Sequence, residues 1–197
     1  MNWLAHLYLS EDDPEFRVGN LLPDLASAAR LAGLPEGFQR GIRCHRQIDR
    51  FTDNHPRFKS CVSRFSRPFR RYGGILTDIY FDHFLARDWP NYSTVALVQF
   101  IGEVHRDIET CLPEIPPEVR PHLQRMSQEN WLGMYATLSG IRAILRRVSC
   151  RLRRPFDLSA SLPIFEAYQL AFADDFQAFF PELIEHLGFP TRSQTVI

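Results

Sequence analysis

The amino-acid sequence predicts an all-α protein, a compact bundle of seven to nine helices. Apolar residues recur at intervals of three and four along several segments, which is the spacing of one helix face. No segment sustains the alternation of apolar and polar residues expected of a half-buried strand. Short connections rich in Pro and Gly separate the segments, which favours antiparallel neighbours in one bundle.

Three segments carry the clearest helical pattern, and the last of them is rich in Phe. Sixteen Phe residues in the chain indicate a core with extensive aromatic packing. The periodic positions are Leu76, Ile79, Tyr80, Phe84 and Leu85, then Val95, Val98, Ile101, Val104 and Ile108, and finally Phe165, Tyr168, Phe172, Phe176, Phe179 and Phe180.

Two helix starts are predicted from residue types that favour the N-cap position. Thr52 or Asp53 is expected to cap one helix, and Ser93 or Thr94 the other.

Length and composition are those of one globular domain. The chain has 197 residues, of which 45% are apolar and 23% charged, so we expect a single domain over residues 1–190 with 191–197 as a flexible tail. No apolar run approaches the roughly 20 residues of a membrane span. The N-terminal residues do not have the pattern of a signal peptide, so we expect a cytoplasmic protein with no membrane insertion.

The cysteines indicate neither a zinc ribbon nor a redox pair. Cys44, Cys61, Cys111 and Cys150 are far apart and form no CxxC motif. We expect them to be buried, reduced thiols.

Charge is unevenly distributed although the formal net charge is zero. Residues 40–71 contain ten basic and two acidic residues, and residues 142–154 contain six Arg and no acid. Such clusters indicate an anionic partner. The candidate surfaces are Arg64, Arg67, Arg70 and Arg71, or Arg142, Arg146, Arg147, Arg151, Arg153 and Arg154.

Four pairs of polar residues stand four positions apart in segments with helical spacing. Residues so spaced share one helix face, so two metal ligands can come from one helix. The segment 78–85, DIYFDHFL, is too apolar for a solvent-facing helix, so its carboxylates should point inward and be bonded, paired with Arg or bound to a cation. The pairs are Asn2/His6, Asn20/Asp24, His45/Asp49 and Asp78/Asp82.

Each pair also has a purely structural interpretation. His45 and Asp49 could form a surface ion pair, and Asp78 could simply favour the start of a helix. Asp24 could be a turn residue after a proline, and His6 a hydrogen-bonded histidine of the core. Mixed oxygen and imidazole ligands would suit manganese, magnesium, iron or zinc.

Together, four motifs resemble the acyl carrier protein phosphodiesterase family. They are NWLAHL at 2–7, GNLLPD at 19–24, HRQIDRFTD at 45–53 and DIYFDHFL at 78–85, in the family's order, and QENWL at 128–132 is also similar. The resemblance runs from residue 1 to about residue 187. It implies a divergent HD-type helical fold and a cytoplasmic, manganese-favouring hydrolase that removes 4′-phosphopantetheine from holo-acyl carrier protein.

One departure concerns the HD motif itself. HD phosphohydrolases are recognised by a His-Asp doublet, whereas here the order is reversed in Asp82-His83. Ligands are therefore not assigned from the HD pattern.

The predicted site consists of positions that match the closer family, together with basic residues. We predict a divalent metal, Mn²⁺ with Mg²⁺ or Fe²⁺ as alternatives, on Asp24, His45, Asp78 and Asp82. Acid–base or orienting roles are predicted for His83, Asp49 and His6. Substrate contacts are predicted for Asn20, Arg46, Arg142, Arg146 and Arg147.

Acyl carrier proteins are small and acidic, so a basic docking surface is expected for one as partner. We expect no nucleic-acid partner. Two alternatives remain at this stage, an HD-type hydrolase of a small nucleotide and a non-catalytic helical module that binds an acidic partner. The second has no need of carboxylates and histidines on apolar helix faces.

Overall fold

The computed structural model describes residues 1–188, which form helices joined by short turns and contain no strand. The all-α prediction is therefore confirmed. Short 3₁₀ helices cover Leu22–Asp24, Arg70–Tyr72, Trp89–Asn91, Gly133–Ala136 and Leu158–Ser161. The α-helices of this range are α1 (Trp3–Tyr8), α2 (Pro14–Gly19), α3 (Ala28–Leu31), α4 (Glu36–Asn54), α5 (Pro56–Ser63), α6 (Gly73–Arg87), α7 (Leu97–Cys111), α8 (Arg120–Gln128), α9 (Leu138–Ser149), α10 (Leu162–Ala167) and α11 (Gln169–Leu187).

Helix number was predicted better than helix ends. Seven helices in residues 1–188 have eight or more residues, and the four shorter ones were too brief to leave a periodic pattern. Both predicted N-caps are wrong. Helix α4 continues through Thr52 and Asp53, so His55 caps α5, its Nδ1 accepting a bond of 3.2 Å from the Arg57 N–H. Helix α7 begins only after Ala96.

Helix α6 lies at the centre of the bundle, in contact with α1, α5, α9 and α11. It is apolar on nearly every side because its neighbours cover nearly every side. Its Tyr80 ring stacks on Phe165 at 4.1 Å, and its Phe81 ring packs against Phe176 and Phe179 of α11 at 5.3 Å. The aromatic core expected from the Phe content is confirmed.

Two glycines let α2 and α4 pack backbone against backbone. A Cβ added at Gly19 would lie 2.4 Å from the Phe38 carbonyl oxygen, and one at Gly41 would lie 2.1 Å from the Phe16 carbonyl oxygen. Only glycine permits this approach. The close packing brings Asn20, at the end of α2, to the side of α4 that carries His45.

The structure bears on the predictions made for the cysteines and for a membrane span. All four cysteines are free thiols; three are buried, but Cys150 is exposed, contrary to prediction. The predicted boundary at residue 190 and the tail 191–197 lie outside the described residues. Over residues 1–188, no helix combines the length and apolar character needed to cross a bilayer.

Arg64 does not belong to a docking surface. Its guanidinium turns inward, 2.7 Å from the buried carboxylate of Asp175 and 3.1 Å from Cys61 Sγ. The neighbouring Arg67, Arg70 and Arg71 are exposed.

Replacing Gly41 with Ala should destabilise the protein by about 2 kcal/mol, because α2 and α4 must separate to accommodate the Cβ. Chemical denaturation monitored by circular dichroism measures the change. Gly74→Ala is the matched control, since no atom lies within 4 Å of a Cβ there. It should be neutral or stabilising by up to about 1 kcal/mol. Equal stability of both variants would contradict the close packing.

Candidate metal centre

Three residues selected from the sequence converge where α1 meets α4. His6 comes from α1, and His45 and Asp49 come from successive turns of α4. One ligand-type atom from each lies within 4.8 Å of the others, the one such group of three or more His, Cys, Asp or Glu residues found in residues 1–188. Both histidines are buried, whereas 43% of the Asp49 side chain is exposed.

The two imidazoles present the same edge to the Asp49 carboxylate. Their rings stack with centroids 4.2 Å apart. His45 Nε2 lies 3.0 Å from Asp49 Oδ2, and His6 Nε2 lies 3.3 Å from Asp49 Oδ1. His45 and Asp49 therefore do pair, as the structural alternative expected, but His45 is buried, so the pair does not lie wholly at the surface.

Asn20 orients both histidines from the opposite side. Its side-chain N–H₂ donates to the His6 carbonyl oxygen at 2.7 Å and to Ser10 Oγ at 2.9 Å. The amide oxygen is thereby turned to His6 Nδ1 at 3.1 Å, while the Asn20 backbone oxygen lies 2.8 Å from His45 Nδ1. Both Nδ1 atoms face acceptors and must carry the hydrogen, so a neutral imidazole has its lone pair on Nε2.

The pKa values of the cluster are shifted in opposite directions. Burial lowers the pKa of His6, and the charge of His45 adds to this effect. Burial also acts to lower the pKa of His45, but the hydrogen bond and charge of Asp49 outweigh it and the pKa is raised. Burial acts to raise the pKa of Asp49, but hydrogen bonds from both histidines hold it well below its usual range. The cluster therefore carries an ionised Asp49.

A cation fits the donor set. His6 Nε2 faces two acceptors, Asp49 Oδ1 at 3.3 Å and the Met1 carbonyl oxygen at 3.2 Å. Lone pairs that converge in this way are stabilised by a proton or by a metal ion. Nearby Cys44 adds no thiolate, because burial raises its pKa to about 12. The site thus offers nitrogen and oxygen ligands without sulfur.

Asp24 lies at the open side of this cluster. Its Oδ1 is 3.7 Å from His45 Nε2, and its Oδ2 accepts a hydrogen bond of 2.8 Å from Trp3 Nε1. Its side chain is 43% exposed. Asp24 is therefore a further carboxylate beside the histidines, on the side of the cluster that is open to solvent.

Asp78 and Asp82 hold the segment that carries His6. Asp78 Oδ1 lies 2.9 Å from the amino group of Met1. Asp82 is fully buried and accepts from the backbone N–H groups of Asn2 at 3.2 Å, Leu4 at 2.7 Å and Ala5 at 3.4 Å. Burial raises the pKa of Asp82 to about 7, although these N–H groups and the Met1 amino group act to lower it. Both oxygens of Asp82 are thus engaged at the start of α1.

His83 does not reach the cluster through any contact in residues 1–188. Its Nδ1 lies 2.7 Å from the Tyr135 carbonyl oxygen, and its ring packs against Phe165. The Tyr135 hydroxyl donates in turn to Asn2 Oδ1 at 2.7 Å. The sequence pattern selected His83 but not Tyr135, because nothing in local spacing relates two residues 52 positions apart.

The arginines predicted to contact substrate differ in their exposure and in their contacts. Arg46 is exposed, one position after His45. Arg142 and Arg146 are exposed on α9. Arg147 instead lies over the ring of Trp131, 3.9 Å from its centroid, and pairs with Glu129 at 2.7 Å.

The fold and the site define an all-helical protein with a buried histidine–aspartate cluster able to hold a metal ion. A family model described as acyl carrier protein phosphodiesterase matches residues 1–183. Proteins named acyl carrier protein phosphodiesterase from Salmonella agona, Salmonella newport and Salmonella enteritidis are each 32% identical over 93% of this chain and 96% of their own length. The chain belongs to the acyl carrier protein phosphodiesterase family, which confirms the resemblance drawn from its motifs. No solved structure gives a significant match, so a relationship to HD-type folds stays a prediction.

Asp82→Ala should lower the free energy of unfolding by about 3 kcal/mol, because three backbone N–H groups lose a buried carboxylate acceptor. Asp82→Asn, which keeps one side-chain oxygen as an acceptor, should lower the free energy of unfolding by a smaller amount. Urea denaturation measures both, and exposed Asp53→Ala should change stability by no more than about 0.5 kcal/mol. A loss for Asp82→Ala as small as for the control would show that the carboxylate does not hold α1.

Divalent metal should bind more weakly as the pH falls. A proton on His45 must leave before Nε2 can bind metal, and the pKa of His45 is raised above 6.5. Affinity should fall by up to about tenfold per pH unit below that pKa. Isothermal titration with Mn²⁺ between about pH 6 and 8.5 measures this, with His45→Ala expected to abolish binding and exposed His186→Ala to retain it. Affinity independent of pH, or unaffected by His45→Ala, would exclude this metal centre.

Proposed function

We propose that this protein is a metal-dependent phosphodiester hydrolase that removes 4′-phosphopantetheine from holo-acyl carrier protein and returns the apo form. The observation that carries the proposal is the convergence of His6, His45 and Asp49 on one point, in a chain of this family. The bond to be broken joins a serine oxygen of the carrier protein to the phosphate of the pantetheine arm.

The proposed ligands are His6 Nε2, His45 Nε2 and an oxygen of Asp49, with Asp24 as the fourth group. A divalent cation bound there would lower the pKa of water and withdraw charge from the phosphoryl oxygens. Manganese is the metal that we favour, with magnesium or iron as alternatives, because the donors are imidazole and carboxylate.

The remaining residues position these ligands. Asn20 fixes the hydrogen of each imidazole on Nδ1, which leaves both Nε2 atoms directed at Asp49. Asp78 and Asp82 hold the Met1–Ala5 segment and therefore the location of His6. Such supporting hydrogen bonds commonly contribute tenfold or more to metal affinity.

The side from which the substrate approaches follows from which side chains of the cluster are exposed to solvent. The two histidines are buried, whereas Asp24 and Asp49 each leave 43% of the side chain accessible. Water and the phosphodiester therefore enter from the carboxylate side. Asp49 is ionised in this cluster, its pKa lying well below the usual range, so it can offer a carboxylate oxygen to a cation. Exposed Arg46 lies on the same helix, available to the phosphate.

The carrier protein would dock on the exposed arginines of α9. Arg142 and Arg146 are exposed on this helix, and charge complementarity favours an acidic partner.

Incubation of the purified protein with holo-acyl carrier protein and Mn²⁺ should remove the phosphopantetheine arm, which mass spectrometry of the carrier detects. His45→Ala should lose turnover at least about a hundredfold, because the metal is no longer held. His186→Ala should retain it.

Two results would refute the proposal. One is an unchanged mass of the carrier protein with Mn²⁺, Mg²⁺ and Fe²⁺ alike. The other is full turnover by His45→Ala. Hydrolysis of a free nucleotide without release from holo-carrier protein would instead favour the small-nucleotide alternative.

A further inference from the structure

The two arginine-rich stretches of the sequence meet on one face of the fold. Arg71 comes from the first stretch, and Arg153 and Arg154 come from the second. All three line one surface pocket of about 300 Å³, together with Tyr72 and Leu152. Local spacing could not relate the two stretches, so the sequence left them as alternative surfaces. In the fold they belong to a single surface.

Phe156 is the residue on which the two stretches pack together. Its ring stacks on Tyr72 with centroids 5.0 Å apart, and Phe69 meets it edge-on at 5.4 Å. The Arg71 guanidinium lies 4.5 Å from the Tyr72 centroid and 5.6 Å from the Phe156 centroid. Phe156 itself is partly buried against the hydrophobic core. The arginines are therefore carried on a packed aromatic base.

A second, mostly apolar pocket adjoins the first. Its volume is about 500 Å³, and the two pockets share Leu152. Pro155 and Phe156 line the second pocket beside Leu152, and Arg146 of α9 lies at its edge. Apolar side chains thus lie between arginines that come from both stretches.

This face carries an excess of positive charge. Asp157 is the one acid that lines either pocket. A hydrogen bond from Ser159 lowers the pKa of Asp157, and the charges of Arg146 and Arg142 lower it further. Within residues 1–188, no carboxylate forms an ion pair with any arginine of this face. We call these exposed residues the arginine surface: Arg70, Arg71, Arg142, Arg146, Arg153 and Arg154.

We infer that the arginine surface is one docking site, which extends from α9 to the segment before α6 and binds an acidic protein face with apolar side chains at its centre. The inference rests on the proposed function, in which this partner is the carrier protein. Arginines around an apolar groove complement such a face in both charge and polarity. Nucleic acid fits less well, because its bases stack on free aromatic rings. Here Tyr72 and Phe156 stack on each other and lie under Arg71.

The arginine surface ends where the central helix begins. The 3₁₀ helix Arg70–Tyr72 leads directly into α6. Asp78 lies about 8 Å further along α6 by the helix rise, and it pairs with the amino group of Met1, whose carbonyl oxygen is 3.2 Å from His6 Nε2. A docked carrier therefore lies at one end of the helix that supports the candidate metal centre. Its body need not touch the metal ligands, because the phosphodiester lies on an arm that extends from the carrier.

Binding of apo-acyl carrier protein tests the arginine surface without turnover, because the apo form lacks the arm. In isothermal titration at low ionic strength, Arg71→Glu and Arg153→Glu should each weaken binding about tenfold. Added salt should reduce the difference from the wild type. Arg106→Glu, at an exposed position of α7, is the matched control and should bind as the wild type does. Circular dichroism first checks that the variants are folded.

Kinetics with holo-carrier protein separate this inference from the proposed function. Both Arg71→Glu and Arg153→Glu should raise KM with little change in kcat, because the metal ligands are untouched. Wild-type affinity and KM in both variants, in a protein that still releases the arm, would overturn the arginine surface and leave the function intact. An effect of Arg153→Glu without one of Arg71→Glu would also overturn it, since the two stretches would not act as one site. Tighter binding of a single-stranded oligonucleotide than of apo-carrier protein would replace the acidic partner with nucleic acid.

Discussion

The candidate site depends first on one buried carboxylate. Asp82, on the central helix α6, accepts the backbone N–H groups at the start of α1, which otherwise have no partner within their own helix. Helix α1 is only six residues long, too short to be stable by itself. Its position is set from outside, by α6, and this position determines where His6 meets His45.

Two separate supports therefore position the candidate metal centre. On one side, α6 holds the chain that carries His6. On the other, the glycine contact of α2 with α4 places Asn20 against both imidazoles. Neither support touches substrate in the proposed mechanism, yet each determines the direction of a ligand lone pair. A cation bound at such a site would find its ligands preorganised, because these hydrogen bonds are present without it.

The sequence predicted the fold class well and the individual side-chain contacts poorly. Periodicity identified α6, α7 and α11 because each buries a long apolar face. The spacing of four residues identified His45 and Asp49, which do meet. The same spacing gave Asp78 and Asp82 as ligands, but a pattern cannot show which atoms a carboxylate will find, and Asp82 finds backbone N–H groups. Trp131 and Tyr135 approach Asn2 and Trp3 only through the fold, so local spacing carried no signal of these contacts.

The rigid ring of Trp3 contacts two neighbours, one with its edge and one with its face. Its edge is bonded to Asp24 and its face stacks on Trp131. Any repacking that turns the ring against Trp131 must also move its hydrogen bond to Asp24. The Asp24 carboxylate lies 3.7 Å from His45, so the aromatic contact of residues far apart in the sequence restrains the open side of the histidine–aspartate cluster. The indole is thus a rigid link between the packing around Trp131 and the position of one carboxylate.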